Sequence, residues 1–392
     1  MNGNYVLALD SIPFFGGSKV ASAAFLDVLM QHSPEQKLVV CSSDRSAWRE
    51  AELIRHHLIE CEYLQKQEQG LRYFLRHALI FLQLLFQVIL YGKPSLLVGT
   101  SGPGNDLALS ALSTVLNVPL LQLIHGPVAT SRTLAKALNR ARHVVYLPST
   151  LASIARCLGR STTELTTDAR FTPMINGLSQ RAWPKPTQAS FKRARLFWAA
   201  SLLKWKGLEL FLDALNQATE LSPFATIKRV QSEPPSIQAS VCYIRPRASA
   251  HACSQPPANT AGLRAYESPG NLDELRAEAN IFISTALNEP FGLSILEALA
   301  AGLCVVIPAD GAYWDQHLYN GKHCLKYRAG DVDDLAKVIM QLHNNMSLAE
   351  HIAAQGKLLA QNYRAEKTYR QIVLNVSQAR AKKAEGSTKY ES

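Results

Sequence analysis

Ile281-Phe282-Ile283-Ser284, then Glu289-Pro290-Phe291-Gly292-Leu293-Ser294-Ile295-Leu296-Glu297-Ala298-Leu299-Ala300-Ala301-Gly302, then Cys304-Val305-Val306-Ile307 reads as strand, loop, helix and next strand. Leu293, Leu296 and Ala300 recur at helical spacing, and Gly302 is a natural stop. A strand–loop–helix–strand unit of this kind belongs to an open α/β sheet, where ligands sit beyond the carboxyl ends of the strands and helix N-termini offer free amides to anions. Glu289 falls in that loop. A carboxylate beside a Pro-Phe-Gly turn suits a ligand with several hydroxyls and a phosphate, because carboxylates accept from hydroxyls while the amides of Gly292, Leu293 and Ser294 face the anion. Glu297 has a second account: Ser294-Ile295-Leu296-Glu297 has capping-box spacing, in which Ser and Glu satisfy each other's backbone amides. That account leaves Glu289 unexplained.

The ordered string from Glu289 through Gly302 closely resembles the E-x7-E signature of retaining glycosyltransferases of family 4. The resemblance implies the GT-B fold, two Rossmann-like parallel-sheet domains facing an interdomain cleft. It implies transfer of a hexose from a nucleotide diphosphate sugar, with retention of configuration, to a saccharide or lipid-linked acceptor in polysaccharide assembly. It assigns Glu289 to the hydroxyls of the donor sugar and Glu297 to the ribose hydroxyls of the nucleotide.

With 392 residues, 47% of them hydrophobic, the chain can build two domains of about 150 to 200 residues each. Apolar strand-like runs at Tyr5–Leu9, Lys37–Val40, Ser95–Val98, Val118–Ile124 and His143–Leu147 alternate with helical stretches, a parallel-sheet rhythm. Periodicity stops around Gly177–Pro186 and resumes at Leu196-Phe197-Trp198-Ala199-Ala200, with a further strand-like run at Ser240–Ile244. This divides the chain into an acceptor-side domain at 1–178, a linker at 179–194, a nucleotide-sugar-binding domain at 195–362, and a segment 363–392 that the family would return to the first domain. Arg245–Ala261 reads as an exposed connection.

The net charge of +10 favours acidic partners such as nucleotide phosphates or an anionic membrane surface. Nucleic acid is disfavoured, since no basic stripe is interleaved with aromatics. Seven scattered Cys without a CxxC pair point to buried thiols in a reducing cytoplasm, with neither structural metal nor cofactor expected. Tyr5–Leu9 is too short for a signal-peptide core, so a cytoplasmic protein is expected, peripheral at most to the inner face of the membrane. The long apolar segment Tyr73–Tyr91 is interrupted by Arg76, His77, Gln83 and Gln87, while a spanning helix wants about 20 largely apolar residues. It suits either a buried helix or one lying in a lipid interface with Arg72, Arg76 and Lys93 at the headgroups.

Three further stretches carry candidates. Gly16 and Gly17 follow the first strand and precede a helix, where glycines let the backbone approach a phosphate, and Lys19 stands just beyond. Alone this is an ordinary turn, but it resembles the family's glycine-rich first loop. His125 ends the apolar strand Leu120–Ile124. A lone His there is more often structural, and the resemblance makes it a catalytic candidate that hydrogen-bonds the donor sugar. The loop Gly99–Asn105 is not a G-x-G-x-x-G fingerprint and reads as an acceptor-side or packing loop. In Ser201-Leu202-Leu203-Lys204-Trp205-Lys206-Gly207, the family pattern puts Lys206 on the donor diphosphate and expects Arg where this chain has Ser201, with Lys204 as a candidate substitute. Gly311, Tyr313 and Trp314 follow the strand after the Glu297 helix and are candidates for the nucleotide border. The alternatives to a transferase are a nucleotide-sugar epimerase or hydrolase on the same fold, or an inactive nucleotide-binding subunit, for which the missing Arg is the motive.

Overall fold

The computed structural model describes residues 4–13, 16–44, 48, 53–65, 69–221, 237–246 and 252–377. The described residues of 1–180 and 364–392 pack as one unit and those of 181–363 as another. The first unit is built on a seven-stranded sheet of β1 (Tyr5–Asp10), β2 (Lys37–Ser42), β3 (Leu53–His57), β4 (Leu96–Gly99), β5 (Leu120–Ile124), β6 (His143–Tyr146) and β7 (Phe171–Pro173), in the order β3-β2-β1-β4-β5-β6-β7. The second has a six-stranded sheet of β8 (Arg195–Ser201), β9 (Gln238–Ile244), β10 (Leu263–Glu267), β11 (Ile281–Ile283), β12 (Cys304–Ala309) and β13 (Leu325–Arg328), in the order β10-β9-β8-β11-β12-β13. Every pairing is parallel.

Parallel sheets are covered on both faces, so their central strands are apolar throughout. Val6, Leu7, Ala8 and Leu9 of β1 have no exposed surface, and Phe197, Trp198, Ile281 and Ile283 fill the same positions in the second unit. Each such aliphatic or aromatic side chain contributes about 1.5–3 kcal/mol by leaving water. The four strands without an apolar run in the sequence, β3, β7, β10 and β13, are the four sheet edges. Leu263-Arg264-Ala265-Tyr266-Glu267 shows why: an edge strand half in water needs no continuous hydrophobic stretch.

In both sheets the strand order reverses direction beside the first strand of the unit, between β1 and β4 and between β8 and β11. Loops leaving the carboxyl ends of two strands at such a switch point diverge and leave a crevice. The Lys206 loop follows β8 and the Glu289 loop follows β11, so the fold puts these two loops side by side.

Residues 185–188, within the stretch 179–194 expected as a linker, are held to the second unit: Thr187 N donates to Ala301 O at 2.8 Å and Gln188 N to Ala277 O at 2.8 Å. The segment from Arg364 packs on the first unit. Tyr369 is fully buried, its ring edge-on to Phe25 at 5.3 Å, its hydroxyl accepting from Gly177 N at 3.1 Å and directed at Asn176 Oδ1 at 3.3 Å.

Candidate functional site

Gly292 caps the helix Leu293–Ala301 in the left-handed region at φ +78°, and no side chain caps it. The capping-box account of Ser294 and Glu297 is therefore excluded: Ser294 lies inside the first turn and Glu297 a turn further on. The uncapped N-terminus keeps its first amides, at Leu293 and Ser294, available to an anion. Glycine suits this position by conformation, and a Cβ there would lie 3.1 Å from both Glu289 Cγ and Ile295 Cδ1, so those side chains would have to give by a few tenths of an ångström.

The turn before this helix rests on aromatic rings. Phe291 packs on Tyr313 at 4.8 Å and on Trp314 at 5.2 Å, and Tyr313 shares a hydrogen bond with the Tyr363 hydroxyl at 3.1 Å. Trp314 is buried and its Nε1 donates to Gly292 O at 3.1 Å, so its ring supports the turn from beneath. Asp310 ties this loop to the next, its carboxylate accepting from Asn288 N at 2.7 Å and Ala312 N at 2.9 Å.

Lys206 and Glu289 meet as an ion pair at the mouth of this site, both side chains mostly buried. Lys206 also lies over the Trp205 ring, 4.0 Å from its centroid. Its position is set from below. Trp198 Nε1 donates to Thr285 Oγ1 at 2.9 Å, and Thr285 Oγ1 donates to Lys206 O at 2.8 Å. Gly207 follows at φ +72°, with Thr285 O only 2.5 Å from where a Cβ would stand, so the loop closes against β11 through a glycine. Thr285 and Trp198 are positioning residues that the sequence reading missed. Their signal was weak, a Trp inside a strand and a Thr just past one.

Lys204, the candidate substitute for the Arg expected at Ser201, lies outside the Lys206–Glu289 pair. Its ammonium is exposed and pairs with Glu209 at 2.9 Å, and Glu209 also accepts from Ser254 at 2.9 Å. Glu297 is held by a residue absent from the sequence reading: Arg276 Nη2 donates to Glu297 Oε2 at 2.6 Å while Nη1 donates to Asp273 Oδ1 at 2.7 Å. Burial raises the Glu297 pKa, with Arg276 opposing.

The other candidates lie in the first unit. His125 Nε2 is 3.0 Å from Ser22 Oγ on the helix Gly17–Gln31, and its Nδ1 is shut off from solvent. Burial pushes its pKa down to about 4 against the Asn176 side chain, so the ring is neutral at pH 7. Gly16 and Gly17 open the same helix, which no side chain caps. Gly16 has extended backbone at φ −166° and open space at its Cβ position, so the fold itself does not demand glycine there. The Phe14 and Phe15 part of that loop lies outside the described residues. Lys19 is not available to a phosphate: it is buried against Asp10 and donates to Ile12 O at 2.7 Å. Asp10 also accepts from Trp48 Nε1 at 2.7 Å, Ser42 Oγ at 3.0 Å and Ser101 Oγ at 3.2 Å. The Gly99–Asn105 loop is drawn into this internal network, consistent with packing.

Residues 261–359 match the family model for glycosyl transferases group 1. No curated protein matches the sequence significantly. Among solved structures, the chain is similar to Anabaena Alr3699/HepE in complex with UDP and glucose, at TM-score 0.68 and 15% identity, covering 95% of this chain and 99% of that one. It is similar to a sucrose-phosphate synthase from Thermosynechococcus elongatus at TM-score 0.66 and 14% identity, covering 97% and 100%. The lipopolysaccharide outer core galactosyltransferase WaaB, in its apo form, aligns at TM-score 0.61 and 11% identity, covering 96% and 99%. The fold is GT-B, with two Rossmann-like parallel-sheet units.

Proposed function

We propose that this chain is a glycosyltransferase that moves a hexose from a nucleotide diphosphate sugar to a saccharide or lipid-linked acceptor, with retention of configuration, in polysaccharide assembly in the cytoplasm. The observation that carries the reading is the Lys206–Glu289 pair beside the uncapped helix N-terminus at Gly292. A cation, free amides and a carboxylate in one crevice match a ligand that is anionic at one end and hydroxylated at the other. The family-model match spans Glu289 and Glu297, and the similar Alr3699/HepE structure contains UDP and glucose.

Without ligand, Lys206 and Glu289 neutralise each other. Donor binding exchanges that bond for two others, with the ammonium turning to the diphosphate and the carboxylate to the sugar hydroxyls. Transfer breaks the bond from C1 of the sugar to the diphosphate oxygen and forms one from C1 to the acceptor oxygen. The acceptor's proton passes to the departing phosphate oxygen, on the face the leaving group occupied. Charge builds on that oxygen as the bond breaks, and Lys206 with the Leu293 and Ser294 amides stabilises it without reorganising, the principal catalytic demand. Glu297 takes the ribose hydroxyls. His125, neutral at pH 7, serves as a hydrogen-bonding group toward the sugar, and the Gly16–Gly17 amides remain assigned to the donor. Thermal stabilisation by UDP-, GDP- and ADP-sugars tests the donor site, since a ligand that binds only the folded state raises its stability. Product analysis with anomer-resolved NMR then tests transfer. Free sugar or an epimer formed with no acceptor present would show a hydrolase or epimerase instead.

A second reading has its own observation. Ser201 replaces an expected cation and Lys204 is engaged by Glu209, so an inactive subunit that binds the nucleotide alone is the competing conclusion. Donor stabilisation without turnover, across acceptors, would favour it.

A further inference from the structure

The helix Gly70–Tyr91 is built the wrong way round for a protein surrounded only by water. Its buried side carries Tyr73, Arg76, His77, Ile80, Leu84 and Gln87. Arg76 is fixed there, donating to Glu60 at 2.6 Å and to Ser11 O at 2.7 Å, and the Tyr73 hydroxyl donates to Gly104 O at 2.6 Å. The outward side is apolar along its length: Leu71 is 85% exposed, Leu82 59%, Phe86 55% and Ile89 72%. Ile59, 80% exposed, extends this face sideways, its backbone held by the Gln83 side chain at 2.7 and 3.0 Å. Contiguous exposed apolar surface of this kind marks an interaction site. The expectation that Arg76 reaches headgroups is overturned, because it lies inside.

We propose that this face lies in the interfacial layer of an anionic lipid bilayer. The charge pattern chooses lipid over a second copy of the chain. Residues 70–93 contain no Asp or Glu, and the exposed cations Arg72 and Lys93 stand at opposite ends of the apolar stripe. Two copies paired antiparallel through this face would set Arg72 against Lys93 with no carboxylate of the helix to relieve them, whereas phosphate headgroups complete both ends. The helix is long and apolar enough to span a membrane. Its inner face, however, holds the Arg76–Glu60 pair and packs on the first unit, so it lies along the surface instead. The inference is independent of the donor and of transfer.

Flotation of the full chain with phosphatidylglycerol–phosphatidylcholine vesicles at low salt tests it, with no sugar present. The wild type should float, and Leu82→Gln with Phe86→Gln should weaken partitioning about tenfold or more, since the apolar contact is lost while net charge is kept. Circular dichroism should be unchanged. In a second measurement, Leu82→Trp should be quenched by lipids brominated high in the acyl chain, which reads insertion without depending on the double variant's folding. Wild-type protein that stays with the aqueous phase, a double variant that floats equally, an unquenched Trp, or a dimer that this variant abolishes without vesicle binding would each overturn the proposal.

Discussion

Lys206 and Glu289, 83 residues apart in sequence, form one ion pair because their loops leave adjacent strands, β8 and β11, at the point where the strand order reverses. Each neutralises the other, and the donor proposed above, with a phosphate and hydroxyls, would separate them.

The first prediction follows from that exchange. Glu289→Gln should lower kcat, and Lys206→Ala should weaken nucleoside diphosphate binding and cost roughly 10- to 100-fold in kcat/KM, about 1.4–2.7 kcal/mol. Lys204→Ala should cost much less, because that ammonium is exposed and occupied by Glu209. The double variant at Lys206 and Glu289 should lose less than the sum of the two single losses. Steady-state kinetics and calorimetric nucleotide titration check this, and an unchanged diphosphate affinity in Lys206→Ala would remove the loop from the phosphate site.

Glu297 and Arg276 give the second. Glu297→Gln should chiefly raise donor KM. Burial already raises the Glu297 pKa while Arg276 holds it down. Arg276→Met therefore shifts it further upward, and a protonated carboxyl is a poorer acceptor for ribose hydroxyls. Donor KM in that variant should climb more steeply than in the wild type as pH falls. Parallel KM–pH profiles would show that Glu297 does not contact the donor.

The third separates two glycines. Gly292→Ala must adopt φ +78° with its new Cβ against Glu289 and Ile295, which should cost about 1–3 kcal/mol of stability and weaken donor binding. Gly16→Ala meets extended backbone and open space, so stability should change by less than about 0.5 kcal/mol. If a phosphate approaches the Gly16 backbone closely, donor affinity falls there all the same. Urea denaturation beside donor titration distinguishes the two, and a stable Gly16→Ala protein with wild-type affinity would withdraw Gly16 from the site.

Acid stability is the fourth. His77 and His125 are both held down to about 4, His77 by burial and by Arg76, His125 by burial. Between about 6.5 and 4 the unfolded chain binds protons at these positions and the folded chain does not. Stability should therefore fall as pH falls through that window, by about 1.4 kcal/mol per pH unit for each ring. His77→Phe, which keeps a ring against Tyr73, should flatten the slope by one proton. Denaturation midpoints measured from pH 7 to pH 4 check it, and an unaltered slope in the variant would mean that His77 is not among the linked groups.

What the sequence determined by itself is what burial writes into it. The nine central strands and the helix before Gly302 were legible because strands covered on both faces must be apolar and because a helix shows its apolar period and its glycine stop. The E-x7-E string likewise marked Glu289 and Glu297. The four edge strands were not legible, since half-solvated strands such as Leu53–His57 and Leu325–Arg328 carry no continuous apolar run. Only the tertiary structure decided which groups meet across long separations: Lys206 on Glu289, Arg276 on Glu297, Lys19 on Asp10, and Trp198 through Thr285 beneath Lys206. It alone also showed that the helix Gly70–Tyr91 turns Arg76 and His77 inward and Leu71, Leu75, Leu79, Leu82 and Leu90 outward. Local sequence sets a residue's chemistry and the period of its element, but the partner of a charge depends on which loops the sheet order brings together.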